Sequence, residues 1–143
     1  MQEPTIKNRF GTLTGWKRIT FNWFDRDVEG ILEIEYDDNV DWTNEYGANG
    51  YPVGEGEGNY EAKASVTLYI EEVRAMEASL PAGQRLQSVL GTGVVEYEYG
   101  GQFYKDIIQT IRVKNRGVAV KQGDKTIAFK HELKVSHIDW NQP

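Results

Sequence analysis

Asn59 to Gly83 reads NYEAKASVTLYIEEVRAMEASLPAG, and its hydrophobic period changes once. Tyr60, Ala62, Ala64, Val66, Leu68 and Ile70 fall on every second residue, with Glu61, Lys63, Ser65, Thr67 and Tyr69 between them. That is the period of a half-buried strand, whose successive side chains point to opposite faces. After Ile70 the spacing becomes helical: Val73, Met76 and Leu80 stand at i, i+3 and i+7, and Glu71 and Glu72 occupy the first turn, where carboxylates suit the helix dipole. Pro81 and Gly83 stop the segment. A long strand therefore feeds a short helix at about 71–80 with no real loop.

Upstream, residues 1–15 are polar and turn-rich and read as a flexible N-terminal arm, with a single domain over 16–143. WKRITFNWF (16–24) is a strand with Ile19, Phe21 and Trp23 on one face, and a turn follows at Asp25 to Asp27. Val28 to Tyr36 is a second strand, with Leu32, Ile34 and Tyr36 opposite Glu33 and Glu35, and the two are expected to form a hairpin. Residues 37–59, DDNVDWTNEYGANGYPVGEGEGN, are dense in glycine, carboxylates and aromatics. Structureless loops beyond ~12–15 residues are uncommon in compact domains, so this stretch is expected to be a long mobile loop or an extended hairpin with a function. Trp42, Tyr46 and Tyr51 would be costly to leave in water, which makes them candidate contacts.

Downstream, Val94 to Tyr99 alternates Val95, Tyr97 and Tyr99 against Glu96 and Glu98. Gly100 and Gly101 make a turn into Phe103 to Lys114, with Ile107, Ile111 and Val113 on one face and Ile108 on the other. Asn115 to Lys125 is a turn-rich link. Thr126 to Trp140 is the last strand, and its parity slips after Ser136, which calls for a bulge. The fold class is mostly β, largely antiparallel, with one helix plugging an end or covering an edge.

The 143 residues carry a net charge of -6 and no cysteine, with pI near 5.0 and mean hydropathy -0.59. A helical membrane span, a cysteine-built zinc site and thiolate catalysis fall away. Nothing in MQEPTIKNRF has the apolar stretch of an export signal. A protein that grips nucleic acid needs cationic surface to displace counterions, so gripping is not expected.

No cofactor or metal site is expected. His131 and His137 lie six residues apart on one strand, roughly 20 Å, too far to share an ion. Asp37, Asn39 and Asp41 begin like a calcium loop, but Trp42 stands where glycine belongs and Ala48 where glutamate does. GEGEGN lacks the lysine of a phosphate loop. The pairs Glu33/Glu35, Glu55/Glu57 and Glu96/Glu98 read as wet strand faces rather than catalytic dyads, and no serine stands in a nucleophile-elbow context, so the chain is not expected to be an enzyme.

The passage GEGEGNYEAKASVTLYIEEVRAME and the closing GDKTIAFKHELKVSHI resemble the tail tube proteins of tailed bacteriophages, which are similar in fold to the tubes of contractile injection and type VI secretion machines. The resemblance spans roughly Ile19 to Asn141. It implies a β-sandwich or half-open barrel that assembles with copies of itself into hexameric rings, stacked into a hollow conduit and joined by other tail proteins. DNA would be passing cargo and no membrane would be involved. The protein would be made in the bacterial cytoplasm and end in a virion tail, or in a prophage relative of one. Glu61, Lys63, Ser65 and Thr67, with Glu96 and Glu98, become candidate lumen residues, and Trp42, Tyr46 and Tyr51 candidate subunit or ring contacts. The alternative is a carbohydrate-binding β-sandwich, with Trp42, Tyr46, Tyr51 and Tyr60 stacking on sugar rings.

Overall fold

The computed structural model describes residues 15, 19–24, 26–99 and 101–142; apart from Gly15, the N-terminal arm expected over 1–15 lies outside them. In chain order the elements are β1 (Ile19–Trp23), β2 (Arg26–Asp27), β3 (Ile31–Tyr46), β4 (Pro52–Tyr69), α1 (Ile70–Ala78), β5 (Gly91–Tyr99), β6 (Gln102–Val113), β7 (Ala128–Lys134) and β8 (His137–Gln142). The strands form one open antiparallel sheet in the order β2-β1-β5-β6-β7-β4-β3, with β8 also paired to β6.

The sheet turns its corner inside β6. Residues Lys105 to Gln109 face β8, whereas Arg112 and Val113 face β7. Between these halves Thr110 has φ 56, and the register against β5 slips between Gly93↔Ile108 and Gly91↔Ile111. A bulge of this kind bends and twists a strand and shifts its face. The core side of β6 is therefore Asp106 and Ile108 before the bulge and Ile111 and Val113 after it, which corrects the expected grouping of Ile107 with Ile111 and Val113. The matching corner lies at Val135 and Ser136, where the Ser136 N–H donates to the Gln109 carbonyl at 3.1 Å. The single strand expected over Thr126 to Trp140 is thus two strands, and the slipped parity marks the corner between them.

The expected first hairpin is reduced to a stub: β2 turns back onto the end of β1, but the chain from Ile31 onward does not continue it. β1 pairs with β5, from Ile19↔Tyr97 to Trp23↔Gly93, and β2 adds two residues on its other side. Phe24 turns the chain at φ 57, and Val28 sends its N–H back to the Phe21 carbonyl at 2.8 Å. The chain then joins β4 instead. Leu32, expected inside, is exposed, because the β3/β4 register shifts between Ile31 and Glu33.

The core gathers Phe21, Trp23, Val66, Leu68, Val73, Met76, Val95, Ile108, Ile111 and Leu133. Burying one large apolar side chain stabilises by about 1.5–3 kcal/mol. The β4–α1 junction falls where the period changes: Ala64, Val66 and Leu68 are buried on the strand, Val73 and Met76 on the helix. The helix begins one residue earlier than expected and ends at Ala78. Ile70 gives its free N–H to the Ile127 carbonyl at 2.9 Å, meeting one of the donors that a helix start leaves unpaired. Glu72 turns inward, ion-paired with Arg26, and accepts the Gly30 N–H at 3.4 Å.

At the other end of α1, Glu77 accepts from Arg116 at 3.0 Å. That hydrogen bond lowers the Glu77 pKa below its ordinary 4.5, against an opposing contribution from burial. A depressed carboxylate pKa contributes stability that is present above the unfolded value and lost as pH falls through the folded one. Arg116→Gln should therefore melt below the parent at pH 7, with the gap closing as pH falls below 4.5. Thermal melts at several pH values check this; a gap unchanged at pH 3 would remove the pair from the explanation.

Candidate functional site

β3 and β4 stay paired from Ile31↔Leu68 to Tyr46↔Pro52, but β7 accompanies β4 only from Lys63 to Tyr69. The outer part of the pair therefore leaves the body as a two-stranded arm, turning through residues 47–51 with Gly50 at φ 79. Residues 37–59 lie in this hairpin. Trp42, Tyr46 and Tyr51 are 58%, 64% and 78% exposed, and Val53 is exposed beside them. Trp42 faces Glu57 and Asn44 faces Glu55 across the strands, so Trp42, Asn44, Tyr46, Glu55 and Glu57 share one side of the arm. On the other side Thr43 and Glu45 lie over a glycine: a Cβ on Gly56 would stand 2.8 Å from the Glu45 carboxylate. The alternating GEGEG is thus a strand with carboxylates on one face and backbone on the other.

The root of the arm is clamped to the body. Tyr36 donates to Asp106 at 2.7 Å, Asp106 also accepts the Asn141 N–H at 3.1 Å, and the Tyr36 ring stacks on Trp140 at 5.4 Å. Burial first, then the Asp106 hydrogen bond, pushes the Tyr36 pKa far above the phenol range. Asp38 accepts from the Tyr60 hydroxyl at 2.7 Å and from the Trp140 indole at 2.8 Å, while the Tyr60 hydroxyl accepts the Ile138 N–H at 3.1 Å. Burial and Asp38 raise the Tyr60 pKa, and the Ile138 N–H opposes them. Sequence reasoning missed this clamp, because its members are 70 and 102 positions apart in the pairs Tyr36–Asp106 and Asp38–Trp140.

Glu61, Lys63, Ser65 and Thr67 share the outer side of β4, where Lys63 faces Lys134, Ser65 faces Glu132 and Thr67 faces Lys130 on β7. Ser65 is buried among its longer neighbours, at the floor of a groove of about 150 Å³ lined also by Glu35, Asp37 and Lys130. Glu96 and Glu98 lie on β5, separated from β4 by β6 and β7, and Glu96 meets Lys105 at 3.9 Å. Asp37, Asn39 and Asp41 lie along β3, not in a loop. His131 is buried with Nδ1 3.0 Å from the Asn115 carbonyl, and His137 sits 3.6 Å from Asp139. Among the described residues no group of three acidic, His or Cys side chains is placed to hold a metal ion, and no helix is long and apolar enough to cross a membrane.

No protein-family model matches the chain, and no curated protein is significantly similar in sequence. Its fold does match a solved one. A chain in the cryo-EM structure of the anti-feeding prophage cap, the tube-terminating cap, superposes with a TM-score of 0.63 at 9% identity, covering 97% of this chain and 91% of that one. At so low an identity the likeness is one of fold. It extends over nearly all of both chains.

Proposed function

We propose that the chain is a non-catalytic structural subunit of a phage-type tail tube, joining copies of itself into hexameric rings that stack into a conduit for DNA. The arm carries this reading. A pair of strands with no third layer is marginally stable alone, and exposed apolar residues rimmed by charge suit a protein contact. The match to a chain of a tube-terminating cap assembly supports the same reading. β3 is an outer strand of the sheet order, and an unpaired edge invites continuation by another chain. In this reading Trp42, Tyr46 and Tyr51 are subunit or ring contacts. The outer face of β4 lines the conduit with Glu61, Lys63, Ser65 and Thr67, and Glu96 and Glu98 extend that face beyond the bend. DNA passes without being gripped, and other tail proteins close the ends. The subunit would be made in the bacterial cytoplasm and finish in a virion tail or a tail-like particle.

Light scattering across a concentration series tests this. Masses that rise in steps of a six-membered ring support it; the 16.3 kDa monomer at every concentration overturns it. A sugar-binding reading has one observation in its favour, since Trp42 and Tyr46 are exposed on the same side of the arm. Tyr60, the fourth aromatic of that reading, has its hydroxyl held by Asp38 and Ile138. A glycan array with no binding at millimolar sugar would remove it.

A further inference from the structure

The arm ends at one pole of the molecule, and a second exposed segment sits at the other. Residues 114–127 leave β6, run along β7 and reach the helix end, where Ile127 accepts the Ile70 N–H. The segment is pinned to the body before it emerges. Asn115 accepts the Glu132 N–H at 2.7 Å and donates to the Lys130 carbonyl at 3.2 Å. Arg116 is held by Glu77, and Gly117 lies so close to Phe129 that a Cβ would stand 2.6 Å from its ring. Beyond this anchor Val118 and Val120 are 52% and 58% exposed. In the chain Lys114 precedes them and Lys121 and Lys125 follow them, with Asp124 the single carboxylate of the segment. Asp124 is occupied by the Lys121 backbone N–H at 2.9 Å.

The arm is the complement of this surface. Between Asp41 and Glu57 it carries four carboxylates and no Lys or Arg, together with its exposed aromatics. The two surfaces cannot meet within one chain, because both are fixed to β4: the arm is its first half, and the link docks at its last residues. Seventeen strand steps separate Pro52 from Tyr69, on the order of 50 Å. A pair of unlike, complementary patches at opposite poles makes a heterologous contact, which repeats along a line when copies stack.

We infer that the arm of one copy docks on the 114–127 link of a second copy, its carboxylates meeting Lys114, Lys121 and Lys125 while its aromatic side covers Val118 and Val120. This rests on the tube reading and names the surface that receives the arm. The contact is electrostatically steered and weakens with salt, since charges of this exposure are screened over about 8 Å at physiological ionic strength. It is axial, from one ring to the next.

The absence of cysteine makes the contact directly testable. Glu57→Cys and Lys121→Cys are made in separate chains of the full protein, one of them tagged, then mixed and mildly oxidised. The mixed disulfide should form in about tenfold excess over the product of Glu57→Cys with Glu96→Cys, because docking raises the effective concentration of the paired thiols. Equal yields with both partners would overturn it. The mixed disulfide should also fade in high salt, and a yield indifferent to salt would overturn the charge-based part. If the parent forms rings or tubes and Lys121→Cys is not trapped, the receiving surface is wrong and the tube reading stands. If the disulfide forms but scattering finds no rings, the contact stands and the tube reading falls.

Discussion

Replacing residues 41–59 with Asn-Gly should leave a folded monomer that no longer assembles. Val40 and Tyr60 face each other across the strands, so the two-residue replacement closes the hairpin with the turn that suits twisted strands. Every member of the clamp lies outside the deletion, Tyr36, Asp38 and Tyr60 included. None of the buried core residues lies within it. The removed segment contributes exposed surface and its own two-stranded ladder, so melting temperature should change little while self-association disappears. Circular dichroism and sedimentation velocity on the same sample read the two effects separately. Rings of normal size from the shortened protein would remove the arm from the mechanism; an unfolded product would mean that the arm supports the body.

Asp106→Ala should be the most damaging single change at the clamp. Asp106 is 1% exposed and accepts from Tyr36 on β3 and from the Asn141 backbone on β8, so one carboxylate joins both halves of the bent sheet. Hydrogen bonds to a charged group contribute about 1.5–3 kcal/mol each, and donors left buried without a partner add a further penalty. Loss of about 3 kcal/mol is expected in urea melts, offset in part by no longer burying a charge. Asn141, at φ 56, also loses the bond that fixes its left-handed backbone. Asp106→Asn keeps the shape and an acceptor and should lose less. Equal losses for both variants would show that the charge, not the acceptor geometry, matters.

The junction of β4 and α1 was legible in the sequence because two periods meet there and each side has enough residues to establish its own. β5 and β6 were legible as a local pair, since only a tight turn separates them. What escaped was set by distant partners. Nothing in ITFNW distinguishes pairing with β3 from pairing with β5, and the two-residue β2 is too short to have a period. Thr110 adopts φ 56, a conformation that β-branched residues disfavour, so its bulge left no mark except the mixed faces of β6. The arm was half visible: GEGEG alternates with period two, but glycine is a poor strand former, and the same composition fits a loop. Its exposed aromatics were readable as contacts from chemistry alone. The link at 114–127 was read as turn-rich, and the signal that marks it as a surface, Val118 and Val120 between lysines, was present but short.

Electron microscopy of the concentrated protein decides whether the chain builds a tube. Hollow rings of uniform diameter that stack into tubes as concentration rises and salt falls are the expected result. Single particles of monomer size in every field, under conditions where the protein remains folded, would contradict it.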